Sequence, residues 1–171
     1  DAFVITRAIA CFERSLLSGN SPYDQYIKNN NTNAMTDAQI RGMNLFFSDR
    51  TNCSTCHSGF NFTNYAFENN GLYIQYADIG RMRLTLKEED MALFKVPGLR
   101  NIEMTGPYMH DGSIQTLQQV IDHYQSGGQD HPHKNPILKP LDLTTPEQKD
   151  LIEFLKALTD DTFLTNPIFK Y

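Results

Sequence analysis

Apolar residues recur with helical spacing over much of this 171-residue chain. Between Ala2 and Ser18, the positions Val4, Ile5, Ala8, Ile9, Phe12 and Leu16 fall on one helix face. Gly19 stands behind them as a stop signal. Ser21-Pro22 opens a short second helix, with Pro22 at its first position and Asp24 in its first turn. Residues 28–33 are polar and Asn-rich and read as a loop. Thr36 and Gln39 have capping-box spacing, and Gly42, Leu45, Phe46 and Phe47 follow on a third helix. Ile114, Leu117, Val120, Ile121 and Tyr124 predict a helix over Ser113–Tyr124, ended by Gly127-Gly128. The last helix carries Leu151, Ile152, Phe154, Leu155 and Leu158. Its start reads as Thr145 at the N-cap, Pro146 next and Gln148 reaching back.

Between these helices the pattern breaks. From Gly59 to Leu99, Gly, Asn and Asp interrupt every period, and a short hairpin around Tyr73–Tyr76 is the one regular element expected. Residues 129–140 form a loop with three prolines. There is no internal repeat and no low-complexity tract. The reading is an all-α fold with long loops. A wrapping segment of 59–99 needs something apolar to pack on, because structureless loops of that length are rare in compact domains.

Composition narrows the function classes. A hydrophobic content of 40% and a charged content of 20% describe a chain that folds. The net charge of −5 argues against nucleic acid as a partner. No apolar run approaches a membrane span. No signal peptide is visible, and Asp1 reads as an internal or mature start.

The densest chemical signal is Cys53-Ser54-Thr55-Cys56-His57, the Cys-x-x-Cys-His signature of covalent haem c attachment. On one helical turn, residues i, i+3 and i+4 share a face. Cys53 and Cys56 would bond the two vinyl groups, and His57 would be the proximal iron ligand. A zinc site needs two further ligands. Cys11 is the only other cysteine, and His131 and His133 are two apart around Pro132. A thioredoxin-like pair belongs after a strand of a βαβ unit, whereas this motif follows a helix. A bound haem also supplies the apolar surface that 59–99 lacks. Covalent haem c is attached outside the cytoplasm, which places the protein in the periplasm or on the cell exterior.

The second iron ligand governs potential and access. Met104, Met109, His110, His123, Tyr124, His131 and His133 are the candidates. Met is common core filler, and His131 and His133 lie in the Pro-rich loop. His123 and Tyr124 are adjacent on a helix and point about 100° apart. Tyr124 lies with the apolar stripe and His123 off it. Periodicity leaves Tyr124 open as core residue or ligand.

The strings Phe94-Lys95-Val96-Pro97-Gly98-Leu99-Arg100-Asn101 and Thr105-Gly106-Pro107-Tyr108-Met109-His110-Asp111-Gly112-Ser113 resemble the C-terminal half of the bacterial dihaem cytochrome c peroxidase and MauG family. The resemblance extends to Phe12-Glu13-Arg14, Ser21-Pro22-Tyr23-Asp24, Asp122-His123-Tyr124 and the final helix. It implies a cytochrome c-like haem domain over 35–171 and an N-terminal helical extension over 1–34 that packs on the absent N-terminal half. Gly42 and Phe46 would lie on the first cytochrome helix, against Phe154 and Leu155. In the peroxidases a methionine fourteen residues after the Pro-Tyr-x-His histidine binds the electron-transfer haem. Here that position is Tyr124, similar to the MauG type. The resemblance also implies that His110 lies near a propionate and the domain interface. Arg100, with Lys95 or Arg81, is a candidate propionate partner, the alternative being an ordinary solvated charge. The carbonyls of Thr105 and Pro107 would give part of a calcium site completed by the other half. The relay tryptophan of the family has no counterpart, since the chain has no Trp.

Two functions follow as expectations. The first is the electron-transfer haem domain of a MauG-like or peroxidase-like dihaem oxidoreductase that uses or reduces hydrogen peroxide. Its partners would be the N-terminal half or a second haem domain, and a redox protein or protein substrate. This chain would lack the peroxidatic haem. The alternative is a stand-alone mono-haem cytochrome that shuttles electrons without catalysis.

Overall fold

The structure is a computed structural model that describes residues 1–169. The last two positions of the expected 35–171 domain lie outside the described residues. Helices dominate: α1 (Ala2–Ser15), α2 (Pro22–Lys28), α3 (Asp37–Phe46), α4 (Cys53–Cys56), α5 (Met82–Thr85), α6 (Leu117–Ser126), α7 (Thr145–Lys156) and α8 (Asp161–Leu164). The expectation of an all-α chain needs one correction. Strands β1 (Phe67–Glu68) and β2 (Phe94–Lys95) pair antiparallel, Phe67 opposite Lys95. The hairpin expected at Tyr73–Tyr76 does not form. The strands that pair bound the wrapping segment instead, and they are too short to leave a periodic signature.

Capping explains most helix starts, and its details shift three boundaries. Ser21 and Asp24 form a capping box on α2, and Thr36 and Gln39 form one on α3. On α7 the box is Thr144 with Glu147, one residue before the expected Thr145 and Gln148. The Glu147 carboxylate accepts from the Thr144 N–H at 2.8 Å and also pairs with Arg50, a tertiary tie that favours this register. Helix α6 begins at Leu117, capped by Thr116, because Ile114 is bridged to Tyr108 instead of coiling. Helix α1 stops at Ser15. Gly19 is not its cap: the Gly19 and Asn20 N–H groups donate to the Asp160 carboxylate at 2.9 and 2.8 Å.

The core forms where α3 crosses α7. Phe46, Phe62, Leu151, Phe154 and Leu158 are its most deeply buried apolar side chains. Helix α2 joins this core. Tyr23 packs edge-on to Phe62 and Phe154, with centroids 5.2 and 5.7 Å away, and its N–H donates to the Ala157 carbonyl. Residues 21–24 of the expected extension are thus integrated with the haem-motif part of the chain. Helix α1 differs: it buries no residue, and Val4, Ile5, Ile9 and Phe12 are 44–61% exposed.

The crossing requires Gly42. A Cβ there would meet the Asp150 carbonyl oxygen at 1.9 Å and Phe154 Cβ at 2.9 Å. Gly42→Ala raises helix propensity yet forces α3 away from α7. Its expected cost is about 1–3 kcal/mol, read as a lowered chemical-denaturation midpoint.

Candidate haem centre

The residues after α3 turn tightly. Ser48 and Thr51 hydroxyls both donate to the Leu45 carbonyl, at 2.7 and 2.6 Å. Asn52 takes a left-handed conformation and starts α4, a single helical turn. The His57 N–H closes that turn on the Cys53 carbonyl at 2.9 Å. Cys53, Cys56 and His57 therefore lie on one short turn, as the spacing requires. Both thiols are free of disulfides. Burial pushes both thiol pKa values up, so the free chain holds them protonated at neutral pH.

The imidazole is fixed from behind. His57 Nδ1 lies 3.0 Å from the Phe62 carbonyl, which can only accept, so Nδ1 carries the proton and Nε2 presents its lone pair. Burial lowers the His57 pKa, opposed by the Phe62 and Pro97 carbonyls, and favours the neutral, ligating form. Phe62 is held in turn, with its ring buried among Tyr23, Phe46 and Phe154.

Tyr124 lies half-buried on α6. Burial pushes its phenol pKa up, against a hydrogen bond with the Asn70 side chain. His123 turns away and donates from Nε2 to the Asn70 carbonyl, at 3.0 Å. Asn70, which sequence reasoning passed over as turn punctuation, also donates to Met109 Sδ at 3.2 Å. Its neighbour Asn69 is fully buried. Asn69 donates to the Ala92 carbonyl and accepts from the Gly71 N–H, at 3.0 and 2.7 Å. The Asn69-Asn70-Gly71 run thus organises the wrapping segment.

The other candidates go elsewhere. Met104 is exposed. His110 stacks on Phe94, centroids 3.9 Å apart. His131 Nδ1 is met by Asn69 and by the His133 N–H, and His133 meets the Glu89 carbonyl. Arg100 is not an ordinary solvated charge. Its guanidinium makes a two-pronged ion pair with Asp24, at 2.7 and 3.0 Å, and its Nε–H donates to the Phe60 carbonyl at 2.7 Å. The pairing is decided by α2, which one-dimensional spacing does not bring near Arg100. Arg81 pairs with Asp90, and Lys95 lies over the Tyr65 ring. Thr105 and Pro107 are exposed. Among the described residues, no three His, Cys, Asp or Glu side chains converge as a metal site.

The donor set fits a covalent c-type haem. Two free thiols and a neutral imidazole share one turn, and the Nδ1 proton is committed to a backbone carbonyl.

No family model matches the chain. It is 36% identical over 156 residues to methylamine utilization protein MauG of Methylorubrum extorquens, covering 90% of this chain and 43% of that protein. It is 41% identical over 124 residues to cytochrome c peroxidase Ccp of Escherichia coli, covering 68% of this chain and 26% of the relative. A solved MauG-like protein associated with microbial copper homeostasis superposes with a TM-score of 0.85 at 35% identity, over 95% of this chain and 58% of the other. The fold is that of the MauG-like class, and the relatives imply haem c binding. The chain belongs to the MauG and cytochrome c peroxidase family and matches the C-terminal part of its relatives. It spans less than half the length of the two curated relatives.

One acid-sensitive tie follows. Burial pushes the Asp24 carboxyl up, but hydrogen bonds from Arg100 and Ser21 and the Arg100 charge outweigh it and bring its pKa from 3.8 to about 2. A depressed carboxyl stabilises the fold above its ordinary pKa and loses that contribution as pH falls through the folded value. Unfolding free energy therefore drops between pH 4 and pH 2. Asp24→Asn removes about 2 kcal/mol of that pH dependence, measured by denaturant titration at each pH.

Proposed function

We propose that this chain holds one covalent haem c and is the electron-transfer haem domain of a larger MauG-like or peroxidase-like dihaem oxidoreductase that uses or reduces hydrogen peroxide. The observation that carries the reading is the single turn that bears Cys53, Cys56 and His57, with the His57 Nδ1 proton committed to the Phe62 carbonyl. Cys53 and Cys56 would hold the group by thioether bonds. His57 would bind it through Nε2 while the Phe62 carbonyl keeps its Nδ1 proton. Bound here, the haem supplies one-electron chemistry and a place to keep oxidising equivalents.

Tyr124 would be the second iron ligand. Burial raises its pKa, and a bound ferric iron would favour the ionised form. A phenolate there would be a hard, anionic donor that favours the oxidised metal and lowers the potential below that of a His/Met pair. Asn70 steadies the phenol oxygen, and His123, tied to the Asn70 backbone, keeps α6 in register with the loop. With His57 and Tyr124 both serving the iron, this haem would carry electrons and would not meet peroxide. The peroxide chemistry then belongs to a second haem domain, with a redox protein or protein substrate as the further partner.

The exposed apolar face of α1 supports this larger assembly over a stand-alone shuttle, because an isolated domain gains nothing from leaving Val4, Ile5, Ile9 and Phe12 in water. The carbonyls of Thr105 and Pro107 would serve a calcium ion only with further oxygens from another segment. Haem attachment places the protein in the periplasm or on the cell exterior. Among the described residues no helix is long and apolar enough to cross a membrane.

Intact mass after expression with haem-attachment machinery should show a single haem adduct, lost in Cys53→Ala/Cys56→Ala. Near-infrared magnetic circular dichroism of the ferric protein should lack a methionine charge-transfer band and change in Tyr124→Phe. A methionine band, or a spectrum unmoved by Tyr124→Phe, defeats the ligand assignment. Robust peroxide turnover by this chain alone defeats the electron-transfer role. Ile9→Glu/Phe12→Glu should leave the haem spectrum unchanged and weaken association with the second haem domain in pull-down. Unchanged association removes α1 from the interface.

A further inference from the structure

Phe60, Asn61 and Phe62 follow the haem motif, and each of their carbonyls has its own donor. Arg100 Nε–H takes Phe60 at 2.7 Å, the Leu99 N–H takes Asn61 at 3.3 Å, and His57 Nδ1–H takes Phe62 at 3.0 Å. Two consecutive residues, Leu99 and Arg100, thus clamp the segment whose third carbonyl orients the proximal imidazole. The Arg100 guanidinium also lies over the Phe60 ring at 4.2 Å and near the Phe62 ring at 5.7 Å.

Arg100 is itself held by a residue from before the haem motif. Its side chain is 9% exposed and that of Asp24 is 2% exposed, and the two meet fork to fork. Asp24 is seated by its capping box, accepting from the Ser21 Oγ–H at 2.7 Å and from the Ser21 N–H at 3.1 Å. Lys28 adds a third contact at 3.2 Å. An unbroken series of bonds therefore runs from α2 through Arg100 to the loop behind His57. Surface ion pairs such as Arg41–Asp150 make no such connection.

We infer that Arg100 is a positioning residue for the proximal ligand, and that its pairing with Asp24 lets the segment before the haem motif set the redox behaviour of the iron. The inference rests on the haem reading above. The bond made by Nδ1–H sets ring orientation and the basicity of Nε2, and ligand basicity is one of the levers on haem potential. Lysine carries the charge but not the fork, so it cannot serve Asp24 and the Phe60 carbonyl together.

The test uses the full haem-loaded protein. Asp24→Asn and Arg100→Lys are compared with wild type and with Arg41→Gln, which breaks only the exposed pair. The readouts are haem midpoint potential, the iron–histidine stretch in the resonance Raman spectrum of the reduced protein, and the Nδ1–H proton resonance. Both buried-pair variants are expected to keep the covalent haem and shift all three signals, while Arg41→Gln leaves them in place. Loaded variants with wild-type signals overturn the inference, even if they melt earlier, since a merely structural pair would move stability alone. Covalent attachment makes the loaded fraction separable by mass. A total failure of Arg100→Lys to load haem also counts against a role that lysine should partly fill. If wild type itself takes up no haem, the fault lies with the haem reading and not with Arg100.

Discussion

The hydrogen bond from His57 Nδ1 to the Phe62 carbonyl joins the packed core to the chemistry. Its acceptor belongs to a residue whose ring is sunk among Tyr23, Phe46 and Phe154. The core therefore positions the ligand directly, through five residues of backbone. That core exists because α3 and α7 approach at Gly42 closely enough to leave no room for a side chain. Helix crossing, aromatic packing and imidazole orientation are one connected constraint. Such rigidity fixes the direction in which the His57 Nε2 lone pair points.

The long segment between the haem motif and α6 solves a different problem. It has little regular structure, so its backbone polar groups need partners that no ladder supplies. Two asparagines provide them. The buried Asn69 side chain ties Ala92, Gly71 and Tyr76 together, and the half-buried Asn70 meets Leu72 and Met109 through its amide and His123 through its backbone carbonyl. Side-chain amides can donate and accept at once, which suits them to such hubs. The same segment carries Phe94 and His110, stacked face to face. Its order is local and polar where the order of the helical core is apolar.

Membership in the MauG and cytochrome c peroxidase family gives this arrangement its context. The relatives are about twice as long as the region matched. The exposed apolar stripe of α1 and the integrated α2 then describe two different roles within the first thirty or so residues. Helix α2 is part of the domain, tied in by Tyr23 and by the Asp24–Arg100 pair. Helix α1 offers its apolar side outward.

By itself the sequence determined the Cys53–His57 turn, the caps of α2 and α3 and the core positions on α7. All of these depend on spacing within one helical turn or on chemistry between near neighbours. It misplaced the N-cap of α7 by one residue, since Thr144 and Thr145 are chemically alike and the choice lies with Glu147, Arg50 and the buried Leu143. It missed the pairing of Phe67 with Lys95 and the partner of Arg100. Those contacts join segments 28 and 76 residues apart, and no periodicity records which distant carboxylate a guanidinium will reach. Tertiary packing made those choices, because the burial of Asp24 and Arg100 together is tolerable only when each satisfies the other.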